Sequence, residues 1–326
     1  MSAFADTATF TELYPEQPGV VKHGLADHPL FTLDALVALA GRMAPANVEY
    51  NRGDLPQGID FENVPSNGLS ITDTINGIEQ NGSWMVLKFV EQDAVYRILL
   101  AETLAELDAE IRAKTGPMLK QEAFIFISSP NSVTPLHFDP EHNILLQLRG
   151  TKTMTVFPGN DEEIAPPLAH ERLHLGEGHR NLPWEDRYTA RGQRFELGAG
   201  EGVYVPLMAP HWVQNGPEVS ISFSVTWRSA HSYAEAEARG MNAILPPRRV
   251  FTEVSAALPC SKFGQIRKLQ SDSQGEPPPC TLKRLPRSPP TRPGPLEIIT
   301  AEPSGDIDGL ANCVEPRHGA RFHRPR

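Results

Sequence analysis

Short alternations of apolar and polar positions fill the chain from Glu122 onward. AFIFISSP, NILLQLRG, KTMTVFP, RFELGAG, GVYVPL, HWVQNG and EVSISFSVTW each read as a strand, punctuated by Gly and Pro. Upstream the period lengthens. Ala94 to Ile111 (AVYRILLAETLAELDAEI) predicts the strongest helix, amphipathic over about five turns. Leu33 to Met43 has helical spacing with Thr32 as N-cap, and Ser70 or Thr72 caps a short helix through Ile78. Val20-Val21 and Asn47 to Asn51 predict strands, whereas Ser83 to Val90 fits a strand or the start of a buried helix. A last helix spans His231 to Asn242. Helices preceding and flanking a run of short strands predict a mainly β fold, an antiparallel barrel or sandwich with helical decoration. No internal repeat is visible.

The pattern stops near Leu245. Beyond it neither period persists, and 14 of the 31 prolines fall there with only three aromatics, Phe251, Phe263 and Phe322. Such a segment buries too little apolar surface to offset its ordering entropy. The organisation expected is therefore a domain over 1–245 and a Pro/Arg-rich disordered tail over 246–326. A basic tail engaging an acidic partner, and a non-native reading frame or truncated gene end, remain open for that tail.

Charge sharpens this division. Residues 1–245 carry 17 Lys+Arg against 32 Asp+Glu, a net of −15, and residues 246–326 carry 13 against 8, a net of +5. An acidic body does not attract nucleic acid by bulk electrostatics. Cys260, Cys280 and Cys313 all lie late, so no disulfide framework or cysteine-based zinc site supports the first 259 residues. No apolar run reaches the length of a membrane span, and no signal peptide is visible at the start. A cytoplasmic location is the default expectation.

Any metal in the body must use His, Asp or Glu. His137 and Asp139 are two apart, so on a strand they share a face, and His211 follows another strand some seventy residues on. Two imidazoles and a carboxylate leave coordination positions free for a bidentate guest and O2. An H-x-D is not diagnostic alone, because the chain has 11 histidines. Lys152 heads an apolar strand, where burial is costly unless an anion pairs with it; the other reading has it snorkel at the strand mouth. Thr134, Asn143 and Ser224 can hydrogen-bond a carboxylate or serve local backbone. His142 reads as the first residue of a strand near the mouth. His170, His174 and His179 fall in a loop-like insertion without a strong zinc template. Trp184, Trp212 and Trp227 read as core or pocket wall.

The blocks TPLHFD, NILLQLRGTK and GEGVYVPLMAPHWV resemble the core motif of the JmjC/cupin-like Fe(II)- and 2-oxoglutarate-dependent oxygenases. The style is that of the asparaginyl-hydroxylase-like branch and its bacterial cupin-like relatives. The likeness covers roughly residues 15–245. It implies a double-stranded β-helix (jelly-roll, cupin) core with N-terminal and flanking helices. It also implies Fe(II) held by His137, Asp139 and His211, and a salt bridge from Lys152 to the distal carboxylate of 2-oxoglutarate, with Thr134 at the same end. Asn143 and Ser224 fall where the family places polar residues near the other end of the co-substrate. Ser224 stands where an asparagine is common. A tyrosine that some members use has no counterpart, AFIFISSP offering only Phe124 and Phe126.

The expected activity is a dioxygenase using 2-oxoglutarate and O2, a hydroxylase or demethylase acting on a protein side chain or a small molecule. The alternative is a non-oxygenase metal-binding cupin, an isomerase or a ligand-binding or regulatory module. Relatives often dimerise through C-terminal helices, which leaves a homodimer open; neither nucleic acid nor membrane is an expected partner.

Overall fold

The computed structural model describes residues 2–53 and 65–244. The expectation for 246–326 lies outside them. Eleven strands are formed: β1 (Gly19–Lys22), β2 (Val48–Arg52), β3 (Ser83–Lys88), β4 (Leu119–Ser128), β5 (Val133–His137), β6 (His142–Arg149), β7 (Lys152–Val156), β8 (Gln193–Leu197), β9 (Glu201–Val205), β10 (His211–Asn215) and β11 (Ser220–Arg228). The helices are α1 (Ala8–Leu13), α2 (Leu33–Ala40), α3 (Ile71–Asn76), α4 (Ala94–Ala105), α5 (Asp108–Thr115), α6 (Pro167–His174) and α7 (Ala230–Ile244). Ser83 to Lys88 thus forms a strand rather than a helix start.

A seven-stranded sheet runs β1-β9-β6-β11-β4-β3-β2, and a four-stranded sheet runs β5-β10-β7-β8. From β4 to β7 and again from β8 to β11, successive strands pass from one sheet to the other, which is how a jelly roll is wound. All pairings are antiparallel.

The alternation of β11, SISFSVTWR, shows how the layers are made. Ile221, Phe223, Val225 and Trp227 lie in a large apolar core with Leu36 and Leu39 of α2 and Tyr96, Leu100 and Leu104 of α4. Ser220, Ser222, Ser224 and Thr226 occupy the alternate positions, also buried, facing the smaller sheet. Between the sheets Leu145, Met154, Val156, Val203, Val205 and Val213 form a second cluster. Buried hydroxyls are costly unless partnered. Here Ser222 donates to Gln147 at 2.7 Å, Ser224 donates to Asn143 at 2.8 Å, and Gln147 donates to Ser220 at 3.0 Å. The space between the sheets is accordingly half apolar and half polar.

Two features depart from the periodicity. The expected helix from Ala94 to Ile111 breaks at Glu106-Leu107. There the Glu106 carboxylate accepts from Ser2 Oγ and the backbone N–H groups of Ala3 and Phe4, a tertiary anchor that outweighs helix continuation. The insertion between β7 and β8 also differs from a plain loop. It contains α6, which packs on α7, and it buries Ile164, Ala165, Leu182 and Tyr188 against Leu136, Phe138, Phe157 and Met208 as a third core. His170 stacks on Phe138 at 4.9 Å within this region. Trp184 and Trp212 pack against the same core, and Trp227 belongs to the first.

Candidate metal centre

β5, β10 and β7 carry Thr134, His137, His211 and Lys152 on one face, with Asp139 two residues past the end of β5, and the ladder fixes their levels. His137 pairs with His211, which pairs with Val156; Thr134 pairs with Val213, which pairs with Met154; Asn215 pairs with Lys152. Between the first two levels β10 advances by two residues and β5 by three. The extra residue is a bulge in β5. It brings Thr134 onto the His137 face, although strict period-two alternation would place them apart.

At the first level the two imidazole rings lie 4.1 Å apart between centroids. Asp139 Oδ2 is 3.9 Å from His137 Nε2 and 3.7 Å from His211 Nε2. Among the described residues these three form the one group of His, Cys, Asp or Glu with donor atoms this close, all within 4.8 Å. The opposite nitrogens fix the tautomers. His137 Nδ1 lies 2.8 Å from the Pro135 carbonyl oxygen, and His211 Nδ1 lies 2.9 Å from that of Ala209. A carbonyl only accepts, so each Nδ1 carries a proton and each Nε2 is the ring nitrogen left facing Asp139. Burial, with His137 adding to it, lowers His211 to about 4, so this imidazole is neutral at pH 7. Burial would raise Asp139, but the Arg180 guanidinium, with His137 and His211, holds it at about 2. The set is two imidazole nitrogens and one anionic oxygen. Ligands at right angles on an ion with bonds of about 2.1 Å stand about 3 Å apart, so Asp139 Oδ2, at 3.7 and 3.9 Å from the two Nε2 atoms, needs to approach each by less than about 1 Å to share one. The residues fit a divalent transition metal.

Arg180 was not among the residues read from the sequence, nor was Glu141. Arg180 Nη1 donates to Asp139 Oδ1 at 2.7 Å and lies 3.3 Å from Glu141 Oε2. Glu141 stands two residues beyond Asp139, a spacing that could have drawn attention to it; Arg180 lies 41 residues from Asp139, and only the fold joins them.

The chain matches the model for the cupin-like domain over residues 57–233, more than half its length. It belongs to that family. No curated protein matches this cupin-like chain. Among solved structures it is similar to YcfD, a ribosomal oxygenase from Escherichia coli, at 14% identity and a TM-score of 0.44, covering 85% of this chain and 69% of that one. The YcfD complex with cobalt and 2-oxoglutarate gives 16% identity and a TM-score of 0.43, with 85% and 68% covered. The complex with cobalt and succinic acid gives 16% and 0.44, with the same coverage. Likeness at this distance assigns no chemistry, which has to come from the side chains.

Lys152 is buried, 5% exposed, and stands four residues along β7 from Val156, the partner of His211. That is about 13 Å of strand. Burial alone lowers its ammonium to about 7, with no charge opposing the shift, and among the described residues no carboxylate lies within ion-pair distance. Its ladder partner Asn215 is buried as well, with Oδ1 lacking a hydrogen-bond partner. Thr134 lies on the level between Lys152 and the His pair. Across the slot, Asn143 and Ser224 engage each other. Phe124 pairs with Ser224, and Phe126 with Ser222, on the inner face of the larger sheet. His142 is remote from this chemistry: it stacks on Trp227 and meets Ser229 Oγ at 3.0 Å, and burial lowers it to about 3.

Proposed function

We propose that this cupin-like chain is an Fe(II)- and 2-oxoglutarate-dependent dioxygenase, with His137, Asp139 and His211 as its metal ligands. The observation that carries the reading is Lys152, a buried cation on the same inter-sheet face as the donor set and, among the described residues, without an anion. A solitary metal site has no use for it. Keeping it costs stability unless a guest supplies the counter-charge, and a dicarboxylate meets both requirements at once, one end at the metal and the other at Lys152.

Bound at the donor set, Fe(II) with 2-oxoglutarate and O2 supplies oxidising chemistry in which substrate R–H, O2 and 2-oxoglutarate become R–OH, succinate and CO2. The chain's own contribution is placement. Lys152 donates to the distal carboxylate, and Thr134, one level nearer the metal, offers its hydroxyl to the same group. Met154, Val156 and Val213 exclude water from the slot between them. Asn143 and Ser224 polarise the opposite wall. His211 is 2% exposed, whereas His137 and Asp139 are 18% and 16% exposed, so a substrate approaches from their side.

Within this class we favour hydroxylation of a protein side chain; demethylation would use the same site. The acidic body is compatible with a basic protein partner and argues against nucleic acid. Among the described residues no helix is long and apolar enough to cross a membrane, and the absence of cysteine before Cys260 suits a reducing, cytoplasmic setting.

The test is turnover of the co-substrate alone. Iron-loaded protein in air should convert 2-oxoglutarate slowly to succinate, and His211→Ala should not. A folded, iron-loaded parent forming no succinate above the level of His211→Ala would favour the non-oxygenase cupin reading.

A further inference from the structure

Asp139 has two oxygens and divides them. Oδ2 faces both Nε2 atoms, and Oδ1 is taken by Arg180 at 2.7 Å. The same guanidinium lies 3.3 and 3.4 Å from the two oxygens of Glu141. Its side chain is half exposed, but the backbone that carries it is held in place. The Phe138 N–H donates to the Arg180 carbonyl, the Leu182 N–H donates to that of Leu136, and Asn181 bridges to His137. Residues 180–182 therefore run antiparallel along the free edge of β5, the strand that ends in His137, joined to it by one bridge and two flanking hydrogen bonds. Leu182 is pinned in the third core with Leu136 and Phe138. The backbone that presents His137 and the backbone that presents Arg180 are one hydrogen-bonded unit.

We propose that Arg180 is a positioning residue for the metal centre: by occupying Oδ1 it makes Asp139 a one-oxygen ligand and aims Oδ2 at the two imidazoles. A carboxylate free to rotate can offer both oxygens to a metal and take up a position that a guest needs. Arg suits the task because its planar fork can hold Asp139 and Glu141 together, which a lysine point charge cannot do with the same geometry. The insertion between β7 and β8 thereby sets the geometry of a centre to which it contributes no ligand. This rests on the donor set holding a metal, not on the identity of the co-substrate.

The competing account is that Arg180 only neutralises Glu141 and covers the sheet edge. Co(II) separates the two, because its affinity and its d–d absorption can be read without turnover. Arg180→Met should weaken Co(II) binding about tenfold or more and change the d–d spectrum. Arg180→Lys should recover part of the affinity, and Glu141→Gln, which keeps the Arg180–Asp139 contact, should match the parent. Far-UV circular dichroism and the apo unfolding midpoint verify folding; if Arg180→Met does not fold, Arg180→Gln takes its place. Unchanged or tighter Co(II) binding with the parental spectrum would overturn the proposal. So would a loss in Glu141→Gln equal to that in Arg180→Met. A parent that binds no Co(II) would refute the donor set and this proposal together. A parent that binds Co(II) but no 2-oxoglutarate would refute only the oxygenase reading.

Discussion

Replacing Lys152 by Met should make the metal-free protein more stable and destroy its response to 2-oxoglutarate. The side chain is buried, and its ammonium falls from the usual 10.5 to about 7 through burial alone. Taken at about 1.4 kcal/mol per tenfold change in proton affinity, that drop sets an upper limit of roughly 5 kcal/mol on the cost of keeping the charge. Local relaxation reduces this, so about 2–4 kcal/mol is the working figure. Met has similar length and no charge and fits beside Leu197, the β8 partner of Lys152. For a domain of this size the gain corresponds to about 5 °C or more in Tm. The sign with pH follows from the direction of the shift. The folded state releases the proton near pH 7 while the unfolded state holds it to about 10.5, so the parent gains stability as pH rises between these values. The advantage of Lys152→Met is therefore largest at and below pH 7 and shrinks toward pH 9. Urea unfolding at pH 6.5, 7.5 and 9 reads this directly. Adding metal and 2-oxoglutarate at a hundred times Kd should stabilise the parent by about 2.7 kcal/mol and Lys152→Met by little. A variant less stable than the parent at pH 6.5, or one that keeps the co-substrate response, would refute the reasoning.

The same titration bears on affinity: because the anion needs the ammonium form, the apparent Kd for 2-oxoglutarate should rise about tenfold per pH unit above 7, as calorimetry would show. Co(II) should raise the Tm of the parent and leave that of His211→Ala unchanged by differential scanning fluorimetry, since removing one of three donors dismantles the set. Gly150, in the turn that delivers Lys152 to the smaller sheet, has φ of +68°, and a Cβ there would run into the Val219 carbonyl. Gly150→Ala should cost about 1–3 kcal/mol in chemical unfolding and weaken co-substrate binding through Lys152.

The strands announced themselves because their alternation matches two distinct environments. In β11 the apolar half meets the helices and the serine half faces the slot, so the period survives although every residue is buried. The three residues of the candidate donor set were legible for a related reason, since His137 and Asp139 are close in sequence and His211 begins a strand of its own. Lys152 was less decided. Parity puts it on a face but does not say which sheet covers that face, and burial against snorkelling depends on the covering layer. Thr134 was invisible to parity because a bulge shifts the register by one residue. Arg180 had no local signal, since a pairing across 41 residues is made by edge hydrogen bonds and the third core. Helix α6 was hidden too: its polar HERLH stretch lacks an amphipathic stripe of its own, and α7 supplies its packing partner.

The central claim is that one inter-sheet slot holds Fe(II) at one end and a dicarboxylate at Lys152. Anaerobic titration of 2-oxoglutarate into Fe(II)-loaded protein, followed by visible absorption, tests it most directly. The account predicts a metal-to-ligand charge-transfer band in the parent, none in His137→Ala, and weakened binding in Lys152→Ala. No band in soluble, folded, iron-loaded parent, or a band of undiminished affinity in Lys152→Ala, would contradict it.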